Sequence, residues 1–258
     1  MNDENLGDYC QILSAKSSIS GQDGGVATSL LLSGVQKGLF EVVIVVQRTE
    51  GYHAKAVATS NIFEIIQARG TKYLRVPILG LLNDLVAKGK RKIAIVGSPC
   101  QVQAARKIQQ KMLTAYPDLQ LAIVGLFCFE AFDHEKLKDA LQKQIGRDLD
   151  KVEKTQIHKG KFIVTFEGKE SYIKVHDLYA AQENGCSLCK DLTNKFADIS
   201  VGSVGSPAGY STVIVRSEIG QKLLDGVDLV KGEVNKDEII KLALIKTCRA
   251  ADTLAAIG

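Results

Sequence analysis

The sequence predicts an α/β fold: a mixed sheet around a central βαβ unit, plus a smaller C-terminal α+β part. Three observations lead there. Residues 92–96 and 119–127 are short β-branched apolar runs, and residues 102–113 between them are patterned as a helix. Such a crossover is right-handed almost without exception and lays its two strands parallel, with both carboxyl ends on one edge of the sheet. From residue 152 the pattern changes, and 162–166 with 171–175 read as a hairpin turning at Gly168. Two regions follow, 1–150 and 151–258, with a soft boundary near residue 150.

In chain order, the first twenty or so residues are polar and weakly patterned. Asp23-Gly24-Gly25 precedes a helix at 26–37, which Gly38 ends. Residues 40–46 form a buried strand, 52–59 a weaker one, 61–69 a short helix, and 78–88 another helix closed by Gly89. After the βαβ unit, 134–144 is an amphipathic helix ended by Gly146. Beyond the hairpin, 185–209 is a loop rich in Gly and Cys, followed by a strand at 211–216 and two short helices.

The chain has 258 residues, 45% hydrophobic and 24% charged, which excludes intrinsic disorder and low-complexity classes. A net charge of +4 is too mild and dispersed for nucleic-acid binding, and aromatics at 6% with no Trp argue against base stacking. No apolar run reaches the ~20 residues of a membrane span, and no charged-then-apolar leader opens the chain. The expectation is a soluble, cytoplasmic protein.

Six cysteines call for explanation, because a chain of this size has no need of disulfides. Cys100 and Cys128, 28 positions apart, each follow one strand of the βαβ unit, so the crossover brings both to one sheet edge. Cys186 and Cys189 form a Cys-x-x-Cys, a spacing that lets a tight turn aim two sulfurs at one ion or cluster. Four soft thiolates suit an iron-sulfur cluster or zinc; the Cys-x-x-Cys alone also fits a thioredoxin-like dithiol. A helix N-terminus directly after Cys100 would favour its thiolate. Cys10 and Cys248 read as small hydrophobes, and His53, His134, His158 and His176 as ordinary residues without metal-ligand spacing.

The motifs Gln22-Asp23-Gly24-Gly25-Val26, Gly70-Thr71-Lys72-Tyr73, Pro99-Cys100-Gln101, Gly125-Leu126-Phe127-Cys128, Gly185-Cys186-x-x-Cys189-Lys190-Asp191 and Gly202-Ser203-Val204-Gly205-Ser206-Pro207 occur in this order. In them the sequence resembles the beta-subunit family of coenzyme F420-reducing hydrogenases, which includes formate dehydrogenase beta subunits. The likeness runs from about residue 23 to residue 216. It implies an iron-sulfur flavoprotein holding FAD and one 4Fe-4S cluster, which takes electrons from nickel-iron large and iron-sulfur small hydrogenase subunits and reduces coenzyme F420 by hydride transfer. The family's cluster cysteines would fall on Cys100, Cys128, Cys186 and Cys189. No additional ferredoxin-like cysteine block is present, and residues after about 227 match no pattern.

No dinucleotide fingerprint or triphosphate loop occurs, so a flavin needs another cradle. Gly24 and Gly25, with Thr28 one turn in, offer close backbone approach for a pyrophosphate or simply cap a helix. The loop carrying Ser203, Gly205 and Ser206 could bend around a ring or phosphate. Lys72 could neutralise pyrophosphate and Tyr73 pack on the ring, while Ser98 and Gln101 flank the first cluster cysteine. No catalytic side chain is expected, since flavin-to-deazaflavin hydride transfer needs none. Two rival readings are the beta subunit of an F420-dependent formate dehydrogenase and a non-catalytic zinc or cluster-binding scaffold of a redox complex.

Overall fold

The computed structural model describes residues 3–257. Eleven strands and seven α-helices are described: β1 Gln11–Lys16, α1 Val26–Gln36, β2 Val42–Arg48, β3 Ala54–Thr59, α2 Ile62–Gln67, α3 Leu79–Ala87, β4 Lys92–Gly97, α4 Pro99–Met112, β5 Gln120–Leu126, α5 His134–Ile145, β6 Lys154–His158, β7 Lys161–Phe166, β8 Lys169–Lys174, β9 Ile199–Gly202, β10 Ser211–Val215, α6 Glu218–Asp225, β11 Val230–Gly232 and α7 Lys236–Ile257.

Eight strands form one mixed sheet in the order β11-β1-β10-β9-β5-β4-β2-β3. β4 and β5 pair in parallel as neighbours, with β2 parallel to β4 and β9 parallel to β5. These central strands are apolar at nearly every position because both faces are covered. Val43, Val45, Ala94 and Val124 pack under α1, α2 and α6 with Leu30, Ile65 and Leu223. Val42, Ile44, Ile93, Ile95, Leu121 and Ile123 pack under α3 and α4 with Leu82, Val86, Val102 and Ala105. The smaller sheet, β6-β7-β8, closes with α5 around its own core of Phe132, Leu137, Leu141, Phe162 and Val164.

The predicted α/β class, the βαβ unit and the Gly168 hairpin are all present. The large sheet crosses the boundary expected near residue 150: β9, β10 and β11 return to it, and β10 pairs with the N-terminal β1. Residues 154–174 are therefore an excursion from the sheet. β1 itself lies in the stretch read as unpatterned. Leu13 and Ala15 of its six residues join the main core, but Ile12 directly before Leu13 packs on the other face, so the alternation is too short to stand out. β9 lies inside the stretch read as loop, and the two final short helices are α6 and the 22-residue α7. Helix α4 begins at Pro99, with Ser98 at its N-cap, so Cys100 sits within the first turn and not ahead of it. No described helix is long and apolar enough to cross a membrane.

Candidate cluster and cofactor site

Strand direction collects the predicted residues. β2, β4, β5 and β9 end on one edge, and the antiparallel β10 begins there while β1, antiparallel to β10, ends there. Gly24 and Gly25 follow β1; Ser98, Cys100 and Gln101 follow β4; Cys128 follows β5; Ser203, Gly205 and Ser206 follow β9. Gly97 and Gly125 are register partners, and each cysteine lies three residues past its glycine. The crossover thus delivers Cys100 and Cys128 at equal offsets from paired positions.

The Cys-x-x-Cys loop is docked onto this edge by polar side chains. Cys186–Leu188 is a single 3-10 turn entered through Gly185 in the left-handed region (φ 85°). Just beyond it, the buried Asp191 carboxylate accepts hydrogen bonds from Asn194 N (2.8 Å) and Lys195 N (3.0 Å), folding the chain back. Asn194, fully buried at φ 63°, then donates through Nδ2 to Gly97 O (2.8 Å) and Leu126 O (3.3 Å), the last carbonyls of β4 and β5. A Cβ on Gly125 would lie 2.5 Å from Asn194 Cγ, so glycine there is what lets the loop seat.

Four thiols converge as a result. Burial pushes the Cys128 thiol up to about 12, Lys246 draws it back, and the other three cysteines push it further up. Burial likewise raises Cys186, opposed by the Ala131 backbone N–H and by Lys246, with Cys100 and Cys189 adding to the rise. The donor set is all sulfur, backed by the α4 N-terminus at Cys100, and fits a soft, electron-rich centre. Among the described residues no three of these sulfurs lie within 4.8 Å of one another. A mononuclear tetrahedral zinc site with bonds of ~2.3 Å would hold them roughly 3.8 Å apart.

The expected flavin residues sort into two kinds. Gln22 Oε1 accepts from Thr71 N (2.8 Å), which sets the segment before α1 beside Gly70–Tyr73. There Lys72 donates to Ala68 O and Arg69 O, and burial lowers it to about 8, assisted by the Arg48 charge. Tyr73 Oη accepts from Ile157 N (2.8 Å), and burial pushes its phenol well above the ordinary range. The other kind is engaged within the fold. Gly24 and Gly25 abut Ala15 O and Ile19 O, where a Cβ would come within 2.5 and 1.9 Å; Gly24 N donates to Ser211 Oγ (3.1 Å), and Thr28 is buried. Gly205 packs on Asn235 O and Ile239, Ser206 Oγ pairs with Thr212 Oγ1 (2.7 Å), and Ser203 O accepts from Ser206 N. Gln101 Oε1 accepts from Ser98 N and Ser98 Oγ (both 3.0 Å), and its Nε2 donates to Val76 O (2.6 Å), tying the α4 cap to the segment after Tyr73.

One expectation is corrected, and two features are added to the sequence reading. Cys10 and Cys248 are exposed, not small core residues. His53 and His134 stack with ring centroids 4.0 Å apart beside Asp150, although nothing in their spacing signals it; Asp150 is already engaged by the Lys138 ammonium. Lys246, Arg249 and Glu130 carry no motif, yet they surround the cysteines, and the one signal was a lysine in the apolar stripe Ile239, Ala243, Lys246, Ala250.

A profile for the coenzyme F420 hydrogenase/dehydrogenase beta subunit N-terminus matches residues 12–83, and one for its C terminus matches residues 90–241. The chain is 36% identical to the coenzyme F420-dependent sulfite reductase of Methanocaldococcus jannaschii over 91% of its own length and 39% of that protein's. It is 37% identical to the coenzyme F420 hydrogenase subunit beta of Methanococcus voltae over 79% of this chain and 74% of the relative. A chain from the F420-reducing [NiFe] hydrogenase complex of Methanosarcina barkeri superposes with a TM-score of 0.92 at 31% identity, covering 99% of this chain and 94% of that one. This chain spans only about two fifths of the sulfite reductase, so that relative carries a further large part. By both halves of its sequence and by its fold, the chain belongs to the coenzyme F420 hydrogenase/dehydrogenase beta subunit family.

Proposed function

We propose that this chain is the F420-handling oxidoreductase subunit of a hydrogenase complex. It holds one 4Fe-4S cluster on Cys100, Cys128, Cys186 and Cys189 and binds FAD at the same sheet edge. It receives electrons from nickel-iron and iron-sulfur partner subunits. The observation that carries this reading is the convergence of four thiols, from three separate segments, into one mutually interacting group. When bound, the cluster exchanges single electrons, and the flavin converts them into the hydride that the deazaflavin coenzyme accepts.

The chain's own residues divide the work. The four cysteines bind the cluster as thiolates, releasing their protons on loading, and the buried setting of Cys128 keeps water from that side. Lys72 supplies positive charge toward a pyrophosphate or reduced flavin, and Tyr73, fixed by Ile157 N, orients the cofactor against the smaller sheet. Gly24, Gly25, Thr28, Ser98, Gln101, Ser203, Gly205 and Ser206 complete the cradle, chiefly by holding its loops in place. No side chain is asked to move a proton in the hydride step.

The names of the relatives join this module to a sulfite reductase in one and a hydrogenase in another, so the partner decides both what exchanges electrons with this chain and in which direction they run. Anaerobic purification with co-purifying subunits tests the proposal. The expected result is flavin absorbance, a broad shoulder bleached by reductant, four irons per chain, and nickel-bearing partners. A colourless zinc-bound chain would reject it, and a formate dehydrogenase partner would replace the donor. Substituting Cys186→Ala abolishes the iron while leaving flavin; a retained complement of four irons would remove Cys186 from the ligand set.

A further inference from the structure

Helix α7 lies mostly beyond the part of the chain that the family profiles match, which ends at residue 241. Its buried stripe runs Ile239, Ala243, Lys246, Ala250, so a lysine with 1% of its surface exposed occupies a position whose neighbours are apolar. A buried ammonium is costly unless its donors are used. Lys246 Nζ donates to Cys128 O (2.5 Å) and Asp191 O (2.6 Å), linking the segment after β5 to the segment after Cys189. One turn on, Arg249 repeats the bridge, donating to Phe129 O (3.2 Å) and Cys186 O (3.2 Å). Its guanidinium lies over the Phe129 ring, 4.4 Å from the centroid, and pairs at 2.7 Å with Glu130, whose side chain is fully buried.

Two cations on one face of α7 thus join the two halves of the cysteine group at backbone atoms of the cysteines or of residues within two positions of them. Glu130 offsets the charge of Arg249, while the Lys246 ammonium donates only to neutral carbonyls and acts directly on Cys128 and Cys186; the nearby buried Asp191 carboxylate is turned to the N–H groups of Asn194 and Lys195. A thiolate-ligated cluster gains one negative charge on reduction, and net charge and hydrogen bonding around it set its potential.

We infer that α7 is a charged clamp for the cluster site: Lys246 and Arg249 hold the two ligand segments together, and the Lys246 ammonium raises the reduction potential of the centre they enclose. This rests on the cluster reading proposed above. Both residues are positioning residues that act on the cluster through backbone and field.

The test is an anaerobic redox titration, followed by absorbance and EPR, of the cluster in the purified complex carrying Lys246→Gln, Lys246→Arg or Arg249→Gln, with iron counted per chain. Lys246→Gln is expected to move the midpoint to more negative potential, Lys246→Arg to return it most of the way, and Arg249→Gln to speed iron loss with a smaller shift. Should Lys246→Gln not fold, Lys246→Met takes its place in the midpoint measurement, with the same outcomes deciding, and the Arg249→Gln iron-loss rate still tests the clamp. An unchanged midpoint in a Lys246→Gln complex with full iron content overturns the field role, and an unchanged rate of iron loss in Arg249→Gln overturns the clamp. A parent chain that takes up no iron refutes the cluster reading itself, an outcome separable from both.

Discussion

The two halves of the cysteine group are held by different physics. Cys100 and Cys128 ride on the ends of adjacent parallel strands in a sheet buried on both faces, so their positions follow from backbone register and core packing. Cys186 opens and Cys189 caps a single 3-10 turn with no buried residue, placed by Asp191 and Asn194 from one side and by Lys246 and Arg249 from the other. The first half is set by many weak, redundant contacts, and the second by a few strong polar ones. Single substitutions should therefore spare the geometry of the first and collapse that of the second.

The largest effect is expected at Asn194→Ala. It strips the donor from the buried Gly97 O and the partly buried Leu126 O, at a cost of about 2–4 kcal/mol in urea unfolding, and it should lower iron content because the loop loses its seat. Next is Gly125→Ala, whose Cβ would press on Asn194 and on Ala197 at 2.7 Å, at a cost of about 1–3 kcal/mol. Made in the Asn194→Ala background it should cost less, and strict additivity would deny that the two touch energetically. On the strand-borne half, Ser98→Ala removes the hydroxyl at the α4 N-cap and should cost about 1 kcal/mol in the same measurement while leaving the iron complement whole. A loss of iron equal to that of Asn194→Ala would erase the contrast between the halves.

The smallest effect lies away from the cysteines. Lys72 titrates near 8 when folded against 10.5 ordinarily, so the folded chain binds fewer protons between those values. Stability measured against pH should rise from about pH 8 to 10.5 through this group, modestly because Lys72 is partly exposed, and Lys72→Met should flatten that rise.

This contrast also explains what could be read in the chain. Periodicity located β2, β4, α4, β5 and α5 because each buries a regular apolar stripe, and the βαβ rule then placed Cys100 and Cys128 together. Cys186 and Cys189 were visible as a motif, but nothing local says where their loop docks; that depends on Asn194, a single polar residue reaching 97 positions back to Gly97. β1 escaped notice because its alternation is short and interrupted by the adjacent pair Ile12-Leu13, and Lys246 because a cation in an apolar stripe has no meaning until the carbonyls it faces are known. Several glycines suited to a phosphate cradle turn out to accommodate the chain's own backbone, a role with the same sequence signature.

The pairing of Gly97 with Gly125 frees the length of the α4 crossover from the spacing of the sulfurs. Residues added at the exposed turn between Met112 and Gln120 would lengthen the path without shifting either strand end, so relatives could differ widely in that interval and keep the same centre. One residue inserted between Gly97 and Cys100 would instead rotate the first turn of α4 by about 100°, at 3.6 residues per turn, and swing that thiol off the edge. Tolerance to insertion should fall abruptly from one side of this cysteine to the other.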